Sequence, residues 1–353
     1  MKYSSTSITT PFTVGGFTVQ VTIVIPTYNA ESTISATIDS VRAQTYNNWE
    51  LIVVDGGSKD HTYNIAFEYS QRDNRIYSLN SPSSASAVEA CNYGISERSR
   101  SSRCVMVLDS DDMLVPEALE SLCGGLIDNR DAVAAYGRFR IIDRAGQPLK
   151  TMAADRFTDN RLAVVEGGGI GLLPPDSPLT FNALVLQNCI KSTGQMLVKS
   201  DALRRLGPFD GAAFPVDDWD MWIRLSLMGE IQLVDRIVLD YRVKGEDSVL
   251  ELGEIGPGEL YFRRKLVHAL AGNEYHSIAL AGWRLREKRQ ISRRFRAAIK
   301  SGFSRRKSDT GGVAACMRDW ATYLYHWGIW RDADHLPRHA RRSTVDTLTV
   351  ARA

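Results

Sequence analysis

Short β-branched runs alternate with amphipathic stretches over the first 110 residues. Val21–Ile25 is such a run, closed by Pro26, and reads as a buried strand. Ile34, Ile38 and Val41 then recur at i, i+4 and i+7, which predicts a helix capped by Asn29 or Ser32. Leu51–Val54 predicts a second strand, running into the turn sequence Asp55-Gly56-Gly57-Ser58. Helical spacing returns at 62–71, strand character at 75–79 and helix character at 85–95. Val105–Leu108 is a fourth apolar run and opens directly into Asp109-Ser110-Asp111-Asp112. Strands alternating with helices predict an α/β fold with a mostly parallel sheet flanked by helices. Such sheets bind ligands at the carboxyl ends of their strands. The three polar clusters, Thr27–Asn29, Asp55–Ser58 and Asp109–Asp112, all follow predicted strands and so converge on one edge.

Beyond Pro116 the pattern predicts two strands, 132–136 and 138–142, before a turn at 143–146. A Gly/Pro-rich stretch, 166–180, reads as a flexible loop. A strand at 195–198, a helix at 217–228 and a strand at 237–243 follow, and from about 259 the chain turns helical and Arg-rich.

Three carboxylates within the four residues Asp109–Asp112 repel one another, a cost that a bound cation offsets at a buried strand end. All-oxygen ligands suit Mg²⁺ or Mn²⁺, not zinc. The competing readings are a solvated acidic turn and an aspartyl-nucleophile phosphatase, although the latter places its DxD on the first strand. A second acidic group, Asp217-Asp218-Trp219-Asp220, opens the predicted 217–228 helix, where the macrodipole favours carboxylates.

The ordered blocks VTIVIPTYN, AQTYNNWELIVVDGGSKDHT, NYGI, VMVLDSDD and GPFDGAAFPVDDWDMWIRL resemble those of family 2 inverting glycosyltransferases over about residues 20–250. Each block is weak alone; their order is specific. The resemblance implies a GT-A nucleotide-diphospho-sugar transferase fold, a nucleoside-diphosphate sugar donor (a UDP-sugar favoured) and Mn²⁺ or Mg²⁺. On it, Pro26, Thr27, Tyr28 and Asn29 edge the nucleotide pocket, joined by Asn92 and Ser110. Asp55 accepts from a ring N–H of the base, where the alternative is a turn former. Asp109 faces ribose or metal, Asp111 ligates the metal, and Asp112 stands behind them. Asp218 is the general base for the acceptor hydroxyl, with Asp217 in the place of the usual Glu. Two departures stand out. The stretch SPSSASAVEACN replaces a donor-contacting Arg- or Gly-rich segment, and Lys244 replaces a late His, where it would meet a phosphate as a point charge.

Charge sharpens the division of the chain. Net charge is +2, yet residues 255–353 carry 20 Lys/Arg against 8 Asp/Glu. This basic end predicts an anionic partner or a solvated helical face. Clusters such as Arg263-Arg264-Lys265, Arg293-Arg294 and Arg305-Arg306-Lys307, interleaved with Leu, Phe, Ile and Trp, suit an anionic membrane surface. No nucleic acid is expected. Five dispersed cysteines without a CxxC predict neither a disulfide framework nor a zinc site, which fits a reducing cytosol. A polar N-terminus and the lack of an 18-residue apolar stretch predict a cytoplasmic protein, and the family resemblance together with the basic tail implies a peripheral place at the inner face of the cell membrane.

The expected organisation is a leader over 1–17, a catalytic domain over 18–255 and a helical basic C-terminal region over 256–353. The expected reaction is inverting sugar transfer to a hydroxyl of a saccharide or lipid-linked saccharide. An oxidoreductase is disfavoured by the lack of G-x-G-x-x-G after the first strand, and a Walker-type NTPase by the lack of its P-loop. The remaining alternative is a non-catalytic nucleotide-sugar- or membrane-binding adaptor using the basic tail, which leaves both acidic clusters unexplained.

Overall fold

The computed structural model describes residues 13–14, 17–82, 86–149, 163–166, 169–172, 177–243 and 257–287. Two short strands, β1 (Thr13–Val14) and β2 (Phe17–Thr18), form a hairpin. Then β3 (Gln20–Thr27), α1 (Ile34–Arg42), β4 (Trp49–Asp55), α2 (Thr62–Arg72), β5 (Ile76–Asn80), α3 (Ala87–Ser96) and β6 (Ser102–Val107) alternate as the periodicity predicts. After β7 (Met113–Leu114) and α4 (Ala118–Asp128) come β8 (Ala132–Ile142), the hairpin β9 (Ala163–Glu166) and β10 (Gly169–Leu172), β11 (Met196–Lys199) and β12 (Glu230–Arg242). The central sheet has eight strands in the order β5-β4-β3-β6-β11-β8-β12-β7. Only β7 and β11 run against the others. This is the mostly parallel, helix-flanked α/β sheet expected.

Several elements differ from the expectation. Pro26 does not end β3, which pairs with β4 as far as Thr27. The Val24 carbonyl faces β6, accepting from Leu108 N, so Pro26, two residues on, aims its missing donor the same way. Its pairing with β6 has stopped by then, and no ladder bond is lost. The two strands expected at 132–136 and 138–142 are one, β8, and β12 begins seven residues before the expected 237. Gly137 allows the join, because a Cβ there would lie 2.4 Å from a Val238 methyl on β12. Part of the stretch read as a flexible loop is strand β10. Asn29 and Ser32 do not cap α1, which begins after Thr33.

β4 is buried along its whole length, as a strand covered on both faces must be. One core joins α1 and α4 to Ile23, Leu51, Met106 and Ala135 of the sheet. A second gathers Val105, Tyr136, Trp219, Trp222, Phe262, Leu266 and Trp283. The helix Pro257–Ala269 and the helical stretch 275–287 therefore share a core with the acidic helix Asp217–Ser226. Among the described residues no helix is long and apolar enough to cross a membrane.

Candidate active site

The carboxyl ends of β3, β4 and β6 bring the three polar clusters to one edge. Thr27 is buried there, and its hydroxyl has no protein partner. Tyr28 is 58% exposed beside it. Asn29 adopts the left-handed conformation (φ 49°), a position Asn tolerates. Its N–H donates to Ser58 Oγ at 2.9 Å and its Oδ1 accepts from Lys59 N at 2.9 Å, stitching the first loop to the second. Asp55 accepts from Gly57 N at 3.0 Å and Ser58 N at 2.8 Å through Oδ2, and from the Ser58 hydroxyl through Oδ1. Asp55 thus forms its own turn, and Oδ1 keeps a lone pair for another donor.

The Asp109–Asp112 loop is divided in its duties. Asp112 is buried and fully engaged, accepting from Ser192 Oγ at 2.7 Å and from Arg242 N at 2.9 Å. Burial, then Asp109, raises its carboxyl well above the usual range. Asp109 and Asp111 are the partly buried pair. Burial, followed by the adjacent Asp111 charge, pushes Asp109 up to about 6. Ser110 accepts from Thr37 Oγ1 through its carbonyl at 3.0 Å, which ties the loop to α1. Arg242, at the end of β12, donates to the Asp111 carbonyl at 2.7 Å. Among the described residues no group of three or more His, Cys, Asp or Glu side chains is assembled for a metal. The donor set still fits a hard cation. Asp109 and Asp111 would offer such a cation two carboxylates and leave room for further oxygen ligands.

The residues that sequence reasoning missed lie in one segment, 188–195. Asn188 Nδ2 donates to Asp218 Oδ2 at 3.0 Å. Ser192 Oγ lies 3.1 Å from Asp109 Oδ2 besides its bond to Asp112. The buried Gln195 side chain holds the segment in shape, accepting from Lys191 N at 2.7 Å and donating to the Gly137 carbonyl at 2.8 Å. Gly194 is required where the segment crosses Leu108, since a Cβ would sit 2.8 Å from that side chain. Lys191 places its ammonium 5.5 Å from the Tyr241 ring centroid. Burial lowers the Lys191 pKa against the opposing pull of Asp218. Burial and then Asp112, Asp109 and Asp111 push Tyr241 up to about 12. Only the polar run QNCIKSTGQ hinted at this segment, and its spacing matches no regular element.

Asp217 and Asp218 stand in the first turn of their helix. Burial pushes Asp218 up to about 7, aided by Asp217 and Asp109 and opposed by the Asn188 hydrogen bond. Burial also raises Asp217. Asp220 is no solvent-facing acid. It is buried, with Arg224 Nε at 2.8 Å and Lys265 Nζ at 2.9 Å. Asn92 spends both ends of its amide on Phe209, donating to its carbonyl and accepting from its N–H, each at 2.9 Å. Its work here is to hold the loop that leads to the acidic helix. Lys244 lies outside the described residues, as do Arg293-Arg294 and Arg305-Arg306-Lys307. In the 263–265 cluster, Arg263 and Lys265 are buried among carboxylates and only Arg264 faces solvent. Two of those three charges therefore reach no external surface, because the apolar face of their helix packs on the core.

Residues 22–206 match the profile of Glycosyl transferase family 2, and the chain belongs to that family. Over 153 residues it is 38% identical to the UDP-Glc:alpha-D-GlcNAc-diphosphoundecaprenol beta-1,3-glucosyltransferase WfgD of Escherichia coli, covering 43% of this chain and 58% of that protein. It is 29% identical over 147 residues to the glycosyltransferase GlyG of Streptococcus pneumoniae serotype 4, covering 41% of this chain and 48% of that one. The match thus spans about half the length of these relatives. In fold it is similar to S. aureus TarS 1-349 in complex with UDP, with a TM-score of 0.56 at 16% identity over 94% of this chain and 90% of the other. The complex of the same protein with UDP-GlcNAc gives a TM-score of 0.55 at 15% identity over the same shares. The GT-A fold is common to them.

Proposed function

We propose that the chain is a metal-dependent inverting glycosyltransferase that moves a sugar from a nucleoside-diphosphate donor, a UDP-sugar in preference, to a hydroxyl of a saccharide or lipid-linked saccharide. One observation carries this reading. Segment 188–195 contacts both acidic clusters, with Asn188 Nδ2 at 3.0 Å from Asp218 and Ser192 Oγ at 3.1 Å from Asp109 and 2.7 Å from Asp112. A cation-holding pair and a basic carboxylate then serve the same reacting centre.

Asp109 and Asp111 would hold Mn²⁺ or Mg²⁺, which supplies charge neutralisation for the departing diphosphate. Pro26, Thr27, Tyr28, Asn29 and Asp55 would receive the nucleoside, with the buried Thr27 hydroxyl free of protein partners to bond it. Ser110 and Asn92 would join this pocket by the family resemblance; their own contacts run to Thr37 and to the Phe209 backbone. Asp218 would take the acceptor hydroxyl's proton as that oxygen attacks the anomeric carbon from the face opposite the diphosphate. The new C–O bond forms as the bond to phosphate breaks, and configuration inverts. A carboxyl with a pKa of about 7 suits a base at neutral pH.

The relatives' names support the substrate classes. WfgD is named for UDP-Glc and a GlcNAc-diphosphoundecaprenol acceptor, and TarS has been solved with UDP and UDP-GlcNAc. A lipid-linked acceptor would place the enzyme at the inner membrane face, with basic residues beyond 287 against anionic headgroups. Thermal shift against a panel of nucleotide sugars, with and without Mn²⁺, tests the donor half of the reading. Stabilisation by one UDP-sugar only with Mn²⁺ is expected; stabilisation by none of them overturns it.

A further inference from the structure

We infer that Lys265 is a positioning residue for sugar transfer: its buried ammonium ties the loop before the acidic helix to the helix itself and so sets where Asp218 stands. This rests on Asp218 being the base.

Lys265 lies outside the 22–206 family match, on the helix Pro257–Ala269, and is only 4% exposed. Its Nζ is 2.7 Å from Asp210 Oδ2 and 2.9 Å from Asp220 Oδ1. Asp220 follows Asp218 by two residues on the same helix. The other Asp220 oxygen takes Arg224 Nε, and Arg224 donates onward to the Leu206 and Pro208 carbonyls at 3.2 Å each. The loop is therefore fastened twice, by Arg224 at its start and by Lys265 at Asp210. Asp210 in turn accepts from Ala212 N at 3.1 Å, fixing the turn that leads to the helix.

Packing reports the same grip independently. Gly258 has no room for a side chain, because a Cβ would fall 2.2 Å from the Phe214 carbonyl oxygen and 2.4 Å from that of Ala213. The C-terminal helix thus presses on the backbone just ahead of Asp217. Trp219, next to Asp218, meets the Phe262 ring edge-on at 5.2 Å and lies under the Arg286 guanidinium at 4.6 Å. Both residues that follow Asp218 are held by elements beyond residue 256. A buried ion pair is an expensive way to add stability, since desolvation offsets most of the attraction. What a two-carboxylate bridge adds is a fixed separation. The charges around Asp218 itself are Asp217 on its own helix, Asp109 at the sheet edge and Lys191 from the 188–195 segment, and a shift of the helix changes its distance to all three.

The test compares the full-length wild type, Lys265→Met, Lys265→Arg and Asp218→Asn. In aspartate ¹³C-carboxyl NMR, the Asp218 resonance is the one missing from Asp218→Asn. Its titration midpoint is expected to move in Lys265→Met and to return in Lys265→Arg, while UDP affinity by calorimetry stays at wild type. With the UDP-sugar that the thermal-shift panel selects, kcat should fall about 10²-fold in Lys265→Met, the scale of an ångström-level misplacement. An unmoved Asp218 titration, or wild-type turnover in Lys265→Met while Asp218→Asn is inactive, overturns the inference. Full turnover in Asp218→Asn would instead remove the base assignment. If Lys265→Met does not fold, Asp210→Asn keeps the side-chain shape and the Lys265–Asp220 pair. The same displaced titration is expected there, and an unmoved one overturns the proposal.

Discussion

Asn188 donates its amide to Asp218 at 3.0 Å, and Ser192, four residues on, touches both Asp109 and Asp112. A single segment thereby references both acidic clusters. The Asn188 bond favours the charged carboxylate, so its loss raises the Asp218 pKa further. Asn188→Ala should lower kcat more at pH 6.5 than at pH 9 (both values chosen to bracket about 7). A pH–rate profile that merely scales down, with its acid limb in place, would refute the contact's role.

Asp218→Asn should leave UDP binding near normal and cut turnover by about 10²–10⁴-fold, the span of a general base. Stability should move oppositely. With its folded pKa raised to about 7, above the unfolded carboxylate value, Asp218 favours the fold while protonated, and that contribution is lost as pH rises through about 7. The Asn variant, which never ionises, should therefore gain in Tm relative to wild type as pH rises from the ordinary carboxylate value to about 7, with a larger gain above pH 7 than at pH 5. Urea or thermal melts at the two pH values check the sign.

The aspartate loop predicts two different lesions. Asp111→Asn should keep its fold and lose Mn²⁺-dependent UDP binding in calorimetry. Asp112→Ala should lose stability instead, by about 1–3 kcal/mol, because it takes the acceptor from the Arg242 amide and leaves the Ser192 hydroxyl only the longer contact to Asp109. Equal Mn²⁺ dependence in Asp111→Asn and wild type would remove Asp111 from the metal site.

Arg224 is 7% exposed and its partner Asp220 1%. Arg224→Met should cost about 1–3 kcal/mol in urea unfolding, the scale of losing buried hydrogen bonds to Asp220 and to the Leu206 and Pro208 carbonyls while Lys265 still neutralises Asp220. A cost below about 1 kcal/mol, the level of an exposed pair, would contradict the burial.

Sedimentation with anionic liposomes should show binding at low salt that weakens as ionic strength rises, since charge attraction is screened. Replacing Arg293, Arg294, Arg305, Arg306 and Lys307 by Ser should abolish it, whereas Arg264→Ser, the one outward charge of its cluster, should not. Absence of binding at low salt would refute the membrane setting alone.

Much of the site was legible because it sits on regular elements. Short apolar runs place β3, β4 and β6, and strand ends in a parallel sheet must converge, so Thr27, Asp55 and Asp109 fall together by geometry. Asn188, Lys191 and Ser192 were not legible, because an irregular segment has no period to read and its shape comes from Gln195 bonding across to Gly137 on β8.

The sequence by itself determined the alternation of elements and the identity of the two acidic clusters, since each follows from local spacing along the chain, and its ordered blocks carried the resemblance to the family. Only the tertiary structure decided which carboxylates are spent and which are available. Asp112 is buried beneath Ser192 and Arg242 and Asp220 is neutralised by Lys265, all distant in sequence, whereas Asp218 accepts only from the neutral donors Asn188 and the Trp219 amide. It also decided that Arg263 and Lys265 face inward. A run of basic residues states how much charge is present, but whether that charge meets solvent or a buried carboxylate depends on what packs against its helix, and that is set by residues dozens of positions away.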